Sequence, residues 1–119
     1  MANEMNIINC IEADLKAEGL RQKAIANNVA NMNTPGYRRT DLRFEELLAK
    51  AIESNGRIDV SEIKPEFYQP NTTPVKANGN DVSLDSEVGA MVKNSLRHQT
   101  FMMLLKKKYS QFSAAIRVR

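Results

Sequence analysis

The chain has 119 residues, one domain's length at most; 42% are hydrophobic and 26% charged, but aromatics are only 6% and Trp is absent, which favours narrow helix–helix seams over a thick core. A single Cys (Cys10) and a single His (His98) exclude an internal disulfide and argue against protein-only zinc or thiol-protease chemistry. No apolar run approaches the ~20 residues that span a bilayer, and no basic-then-apolar leader of a cleavable signal peptide opens the chain, so composition alone points to a cytoplasmic protein.

The first predicted element is a helix over residues 5–32. Ile7, Ile8, Ile11 and Leu15 share a face with Ile25, Val29 and Met32 at helical spacing, interrupted midway by Glu18 and Gln22. Pro35 pushes Thr34 out of helical geometry and ends the element. Thr34-Pro35-Gly36-Tyr37 then predicts a type II turn. Residues 33–80 form a connector. It contains a short helix over 41–53 with Phe44, Leu47, Leu48, Ala51 and Ile52 as its stripe, then a flexible loop over 54–79 broken by Gly56, Pro65, Pro70, Pro74 and Gly79. Within that loop only Ile58 and Val60 alternate as a strand would.

The last helix is predicted over 84–117, with Ser83 as cap, acids at its start and bases at its end, the polarity that suits the helix dipole. Its seam steps by four and three through Leu84, Val88, Met91, Ser95, His98, Met102, Leu105, Tyr109, Phe112 and Ile116; eight of these ten are apolar, a coiled-coil pattern. The fold class that follows is all-α. Two long terminal helices pair as an antiparallel coiled coil, with a short helix and an irregular, partly disordered middle. Ile8, Ile11, Leu15, Ile25 and Val29 supply the other half of the assembly seam. Antiparallel pairing sets Glu18 and Gln22 near Ser95 and His98, a buried polar layer that would fix register; the alternative is that His98 faces solvent or another subunit. A lone pair of helices also leaves Leu20, Val92, Leu96, Phe101, Met103 and Leu104 uncovered, which asks for helices from other chains.

Net charge is +3, with residues 1–60 at −1 and residues 61–119 at +4, and no acid follows Glu87. The basic end, Lys106-Lys107-Lys108 above all, reads either as a solvated helix terminus or as a surface for an acidic partner. No aromatic residue interrupts the Lys106-Lys107-Lys108 run to stack bases.

Asn27, Asn28, Asn31 and Asn33 place four Asn in seven residues, poor chemistry for a helix because the carboxamides compete for backbone hydrogen bonds. Such a run is tolerated where the side chains have fixed partners, either at a helix terminus, as an over-endowed C-cap, or in a neighbouring chain. The whole stretch, Ala26-Asn27-Asn28-Val29-Ala30-Asn31-Met32-Asn33-Thr34-Pro35-Gly36-Tyr37, resembles the signature that ends the N-terminal helix of the flagellar axial proteins, the rod and hook family. Gly79-Asn80-Asp81-Val82-Ser83-Leu84-Asp85 and Lys108-Tyr109-Ser110-Gln111-Phe112-Ser113-Ala114-Ala115-Ile116 extend the resemblance, towards the proximal rod members, over roughly residues 5–48 and 78–117. The Tyr-Glu-Ala-Asn-type ending of the sister rod protein FlgC is missing.

The resemblance implies a non-catalytic subunit of a periplasmic rod, exported unfolded through the flagellar type III apparatus without a cleaved signal. It would link the membrane ring and export gate to the distal rod and transmit torque. The partners implied are copies of itself, FlgC, the distal rod, the adaptor FliE, the membrane ring and the export gate; no nucleic acid, membrane insertion, cofactor or metal is expected. The motif residues carried over are Asn27, Asn28, Ala30, Asn31, Asn33, Thr34, Pro35, Gly36 and Tyr37. Two rival readings are a cytosolic flagellar export chaperone or adaptor and a basic helical binding module. An enzyme lacks support, since the sequence shows no Gly-rich phosphate loop and no calcium-loop spacing between Asn78 and Asp85.

Overall fold

The computed structural model describes residues 2–118, with side chains from residue 6 onward; Met1 and Arg119 lie outside the described residues. The molecule is a narrow body of 66 × 28 × 15 Å. Helix α1 (Ala2–Ala30) leads into strand β1 (Asp41–Arg43), helix α2 (Glu45–Glu53), a single 3-10 turn at Val60–Glu62, strand β2 (Glu66–Tyr68) and helix α3 (Leu84–Arg117). Helices α1 and α3 pack together along their length. Their contacts descend α1 as they climb α3: Asn28 meets Glu87, Gln22 meets Asn94 and Glu12 meets Tyr109, so the two run antiparallel.

Each long helix is bounded by its own local chemistry. Ser83 caps α3, its hydroxyl accepting from the Ser86 N–H at 3.4 Å, and Asp85 and Glu87 follow in the first turn, where negative charge offsets the dipole. Helix α1 loosens after Ala30 into overlapping turns, and the Tyr37 N–H then donates to the Thr34 carbonyl at 3.3 Å with Gly36 at φ 75°, the geometry that Pro35-Gly36 favours.

The connector is more ordered than its composition suggests. Residues 41–43 are a strand rather than the first turn of a helix, because Leu42 and Phe44 are both buried while Arg43 between them is exposed, a two-residue alternation. Helix α2 therefore starts only at Glu45. The 54–79 segment holds the 3-10 turn and β2 instead of an open loop. The strand falls at Glu66–Tyr68, not at Ile58 and Val60; Ile58 is exposed and Val60 opens the 3-10 turn, capped by the Asp59 carboxylate, which accepts from the Ser61 N–H at 2.9 Å. Strands β1 and β2 pair antiparallel with Leu42 opposite Phe67, and the Arg43 guanidinium lies 4.4 Å from the centre of the Tyr68 ring.

The apolar core sits between α1 and this connector rather than between the long helices. Ala17, Leu42 and Phe44 are buried there, with Ala13, Leu20, Leu48 and Ile63 against them. Small Ala13 and Ala17 let the connector approach the α1 backbone closely. Leu20, expected on an outer face, is thus covered by the chain's own middle segment.

Phe44, 1% exposed, is the largest side chain in this core. Phe44→Ala removes a ring that nothing else can fill and should cost about 3–5 kcal/mol. Urea unfolding followed by circular dichroism should show a correspondingly lower midpoint, whereas Phe67→Ala, on an exposed ring, should leave it nearly unchanged.

Candidate functional site

The Asn-rich turn is the most densely bonded place in the molecule. Asn28 is fully buried and uses every hydrogen-bonding position of its carboxamide. Its Nδ2 donates to the Thr40 carbonyl at 2.8 Å and to the Glu87 carboxylate at 3.2 Å, while its Oδ1 accepts from the Tyr37 hydroxyl at 3.0 Å and the Thr40 N–H at 2.9 Å. One side chain of α1 thereby ties the chain just after the turn to the first turns of α3.

A second carboxamide reaches in the opposite direction. Asn80, also fully buried, donates from Nδ2 to the carbonyls of Asn31 at 2.9 Å and Thr34 at 2.8 Å, and its Oδ1 accepts from the Val82 N–H at 2.8 Å. Carbonyls left over where a helix unwinds need partners; here a residue some fifty positions away in sequence supplies them. The two turns are brought face to face by their glycines. The Gly36 N–H donates to the Asn78 carbonyl at 2.9 Å, and a Cβ on Gly79 would sit 3.3 Å from the Gly36 Cα, so a side chain there would press the turns apart. Gly79 also stands at φ 84°, a conformation costly to any side chain.

The charges of the junction are paired. The buried Glu87 carboxylate accepts from Arg39 Nε at 2.8 Å in addition to Asn28, and Asp81 accepts from the Arg39 N–H at 2.5 Å with Arg38 3.6 Å away. Burial opposes the charge of Arg39, but its hydrogen bond and charge contact with Glu87 outweigh this and raise it above the ordinary guanidinium value. Asn28, Arg39 and Glu87 each hold another of these groups, while Asp81 Oδ2 is buried without a hydrogen bond, 3.6 Å from Arg38 Nε. Among the described residues there is no cluster of His, Cys, Asp and Glu able to hold a metal ion, and no helix long and apolar enough to cross a membrane.

The remaining motif residues divide by exposure. Asn31 closes its own turn, Nδ2 donating to the Asn27 carbonyl at 2.9 Å and Oδ1 accepting from the Thr34 hydroxyl at 3.2 Å. Asn27, Ala30, Asn33, Thr34, Pro35 and Gly36 lie on the surface, and Tyr37 is half-buried. The predicted motif missed Thr40, Arg39, Asn80, Asp81 and Glu87. Two clues pointed at them: polar residues packed into Asn78–Asp81 immediately before a capped helix, and an acid, Glu87, that has no place on the predicted seam.

A second polar layer crosses the helices midway. Glu18 is 1% exposed, and its Oε1 accepts from Arg21 at 2.7 Å with Arg97 at 3.5 Å; Glu45 of α2 binds Arg21 on the far side at 2.7 Å. Asn94 donates to the Glu18 carbonyl at 3.2 Å and to the Gln22 side chain at 2.8 Å. Glu18 and Gln22 thus stand in a polar layer; Ser95 and His98 lie beside them as expected but exposed rather than buried, and Asn94 and Arg97 take the inward places. The reason is a rotation of α3. Its buried and half-buried residues are Glu87, Ala90, Met91, Asn94, Arg97, Phe101, Leu105, Lys108 and Phe112, mostly one position earlier than the apolar heptad. Met91, Leu105 and Phe112 belong to both sets; Leu84, Val88, Met102 and Ile116 are exposed, as is Tyr109 apart from its hydroxyl, which donates to Glu12 of α1. On α1, Ile8, Ile11 and Ile25 are buried and Leu15 and Val29 half-buried. Glu87, Asn94 and Glu18 win the interior because each finds a specific partner there, which an apolar register could not offer them.

Comparison with known proteins places this junction inside a described family. The family described as flagella basal body rod protein matches residues 15–38, which span the Asn-rich turn. The chain is 31% identical over 97 residues to the flagellar basal body rod protein FlgB of Borreliella burgdorferi, covering 66% of this chain and 72% of that protein. It is 26% identical over 118 residues to the protein of the same name from Bacillus subtilis, covering 92% of each. A third, from Cereibacter sphaeroides, is 30% identical over 108 residues, covering 82% of this chain and 83% of that protein.

Asn28→Ala should strand the Glu87 carboxylate, the Tyr37 hydroxyl and the Thr40 backbone together and cost about 3 kcal/mol. Urea midpoints measure it, and Asn33→Ala, at an exposed position of the same motif, should shift little. The second layer predicts a pH dependence. Burial raises the Glu18 carboxyl above its ordinary value, against the pull of Arg21 and Arg97, and burial raises Asp14 likewise. Carboxyls raised in the folded state stabilise it below the ordinary carboxylate range, and that contribution is lost as pH rises through the raised values. The melting temperature should therefore increase on going from pH 7 to about pH 5, and Glu18→Gln should flatten the profile.

Proposed function

This chain belongs to the FlgB family of flagellar basal body rod proteins, and from that we propose that it is a subunit of the proximal rod which completes its helical surfaces only against neighbouring subunits. As a member of this family it is a structural protein of the basal body rod, not an enzyme, and it assembles with other rod components.

The observation that carries the finer reading is the outer face of α3. Val88, Val92, Leu96 and Met103 recur at helical spacing on the side turned away from α1, and Leu96 and Met103 are 59% and 71% exposed. Leu84, Met102, Tyr109 and Ile116 widen this face towards the seam. A row of this kind is costly in water and is read as an interface. In the assembled rod these outward members of the apolar heptad, with Met91, Leu105 and Phe112, complete coiled-coil packing against helices of adjacent subunits, to which the antiparallel α1–α3 pair contributes its own strands of the bundle. Repeated contacts between unlike patches that do not close into a ring build a helical tube.

The Asn28 and Asn80 junctions suit a load-bearing part. They join the turn after α1 to the start of α3 through short, directional, buried bonds, so a twisting force on one long helix passes to the other without sliding register. In this reading the subunit sits at the periplasmic base of the rod, beside FlgC and the adaptor FliE. It links the membrane ring and export gate to the distal rod, and it arrives through the type III export apparatus. The residues 1–119 constitute one rod-type domain, with the connector as the element that sets the angle between neighbours.

Hook–basal bodies purified from the source cells and analysed by mass spectrometry should contain the chain in amounts comparable with other rod proteins; its absence there, with abundance in the cytosol, would refute the assignment. The interface follows a separate expectation. Leu96→Glu with Met103→Glu should leave the helicity of the isolated chain unchanged, since neither side chain is covered, yet abolish incorporation into basal bodies and swimming.

A further inference from the structure

Beside the middle of the α1–α3 seam lies an open polar notch of about 400 Å³, lined by Gly19 and Gln22 of α1 and by Ser95, His98 and Gln99 of α3, with Glu18 and Asn94 also in its wall. Gly19 has open space where a Cβ would stand, so nothing on α1 closes this side. A glycine inside a helix costs roughly 1 kcal/mol against alanine, and the space it leaves is the entrance to the notch.

Two buried side chains of the notch are incompletely bonded. Glu18 is 1% exposed and its Oε2 has no hydrogen-bond partner; Asn94 is 5% exposed and its Oδ1 has none. Both are acceptors. An occupant must therefore donate, and Glu18 is the only carboxylate in the lining, so a positive donor fits best. Arg21 and Arg97 already approach Glu18, but both meet Oε1.

A donor of this kind is present elsewhere on the same chain. No acid follows Glu87, and Lys106, Lys107 and Arg117 stand exposed along the far end of α3. Lys106, Ser110, Ser113 and Arg117 continue, at helical spacing, the same outward row that carries Val92, Leu96 and Met103. One face of α3 is thus apolar near the notch and basic beyond it. Distance along a rigid helix prevents that basic end from reaching its own notch, while a second copy has no such constraint.

We propose that the Glu18–Asn94 notch takes a lysine or arginine side chain from the basic end of α3 of a second copy of this chain. This rests on the reading of the chain as a rod subunit. The two free oxygens lie just beneath the notch surface and are uncovered as the cation seats beside Glu18 and Asn94; the apolar row is covered at the same time, so the pair sets the stagger between copies that the apolar contact alone leaves free to slide. The acid loses the cost of its incomplete pairing only on assembly, which favours the assembled copy over the free one.

Cysteine pairs in basal bodies test this, in a Cys10→Ser background. One population carries Ser95→Cys on the rim of the notch; the other carries Ser110→Cys or, in a parallel strain, Ser113→Cys, which lie on the basic row and leave Lys106 and Arg117 in place. Cells expressing both should yield basal bodies in which a bifunctional thiol reagent joins two copies, and adding Glu18→Gln should lower the yield about three- to fivefold, the factor a partly desolvated ion pair supplies. If the chain is present in the basal bodies and neither pair is joined, the notch contact is overturned and the rod assignment stands. A link whose yield ignores Glu18→Gln also overturns it, since the two surfaces would then be neighbours without the acid–base pairing. Absence of the chain from basal bodies would remove the rod assignment and this contact with it.

Discussion

Asn28 offers two donors and two acceptor positions, and each is taken by a different part of the chain: the Thr40 backbone twice, the Tyr37 hydroxyl, and Glu87 of α3. Nearly everything about the placement of the three segments follows from this. A buried carboxamide is tolerable only if fully bonded, so once Asn28 lies inside, Thr40 must lie beside it and Glu87 must face it. Glu87 then requires Arg39, and Asp81 takes the Arg39 backbone. Asn80 repeats the logic from the other side by capping the turn through the carbonyls of Asn31 and Thr34. The register of α1 against α3 is the consequence of these bonds more than of apolar packing.

The same economy explains why the apolar residues are where they are. The core of Ala17, Leu42 and Phe44 lies between α1 and the connector, and the facing surfaces of the two long helices are rich in charge and amide. Buried ion pairs add little net stability and much specificity of geometry. A helix pair held by directional bonds can present its apolar side chains outward instead of using them up internally. In the assembly proposed above that division is sensible: the polar interior defines shape, and the outer row of α3 is left for association.

Much of this was legible in the chain. The long helices follow from spacing and from Ser83 and Pro35, and the Asn run was marked as needing fixed partners by its poor helix chemistry. The strand at Asp41–Arg43 was not legible, because Phe44, Leu47 and Leu48 also satisfy a helical stripe and a three-residue strand carries too little periodicity to outvote it. The polar layer was half legible. Glu18 and Gln22 interrupt an apolar face and so announce themselves, whereas Asn94 and Arg97 hide beside an apolar heptad that looked sufficient by itself.

By itself the sequence determined the terminal helices, the turn that ends the first of them, the family and the rod function that goes with it. These depend on contacts within a few residues or on a motif whose spacing is read directly. Only the tertiary structure decided which face of α3 turns inward, that Asn80 and Glu87 are the partners the Asn run required, and that Leu20 is covered by the connector. The physical reason is that an apolar heptad and a polar one shifted by a single position are both compatible with the same helix. The choice between them is made by hydrogen-bond partners some fifty to seventy residues away, which no local pattern contains.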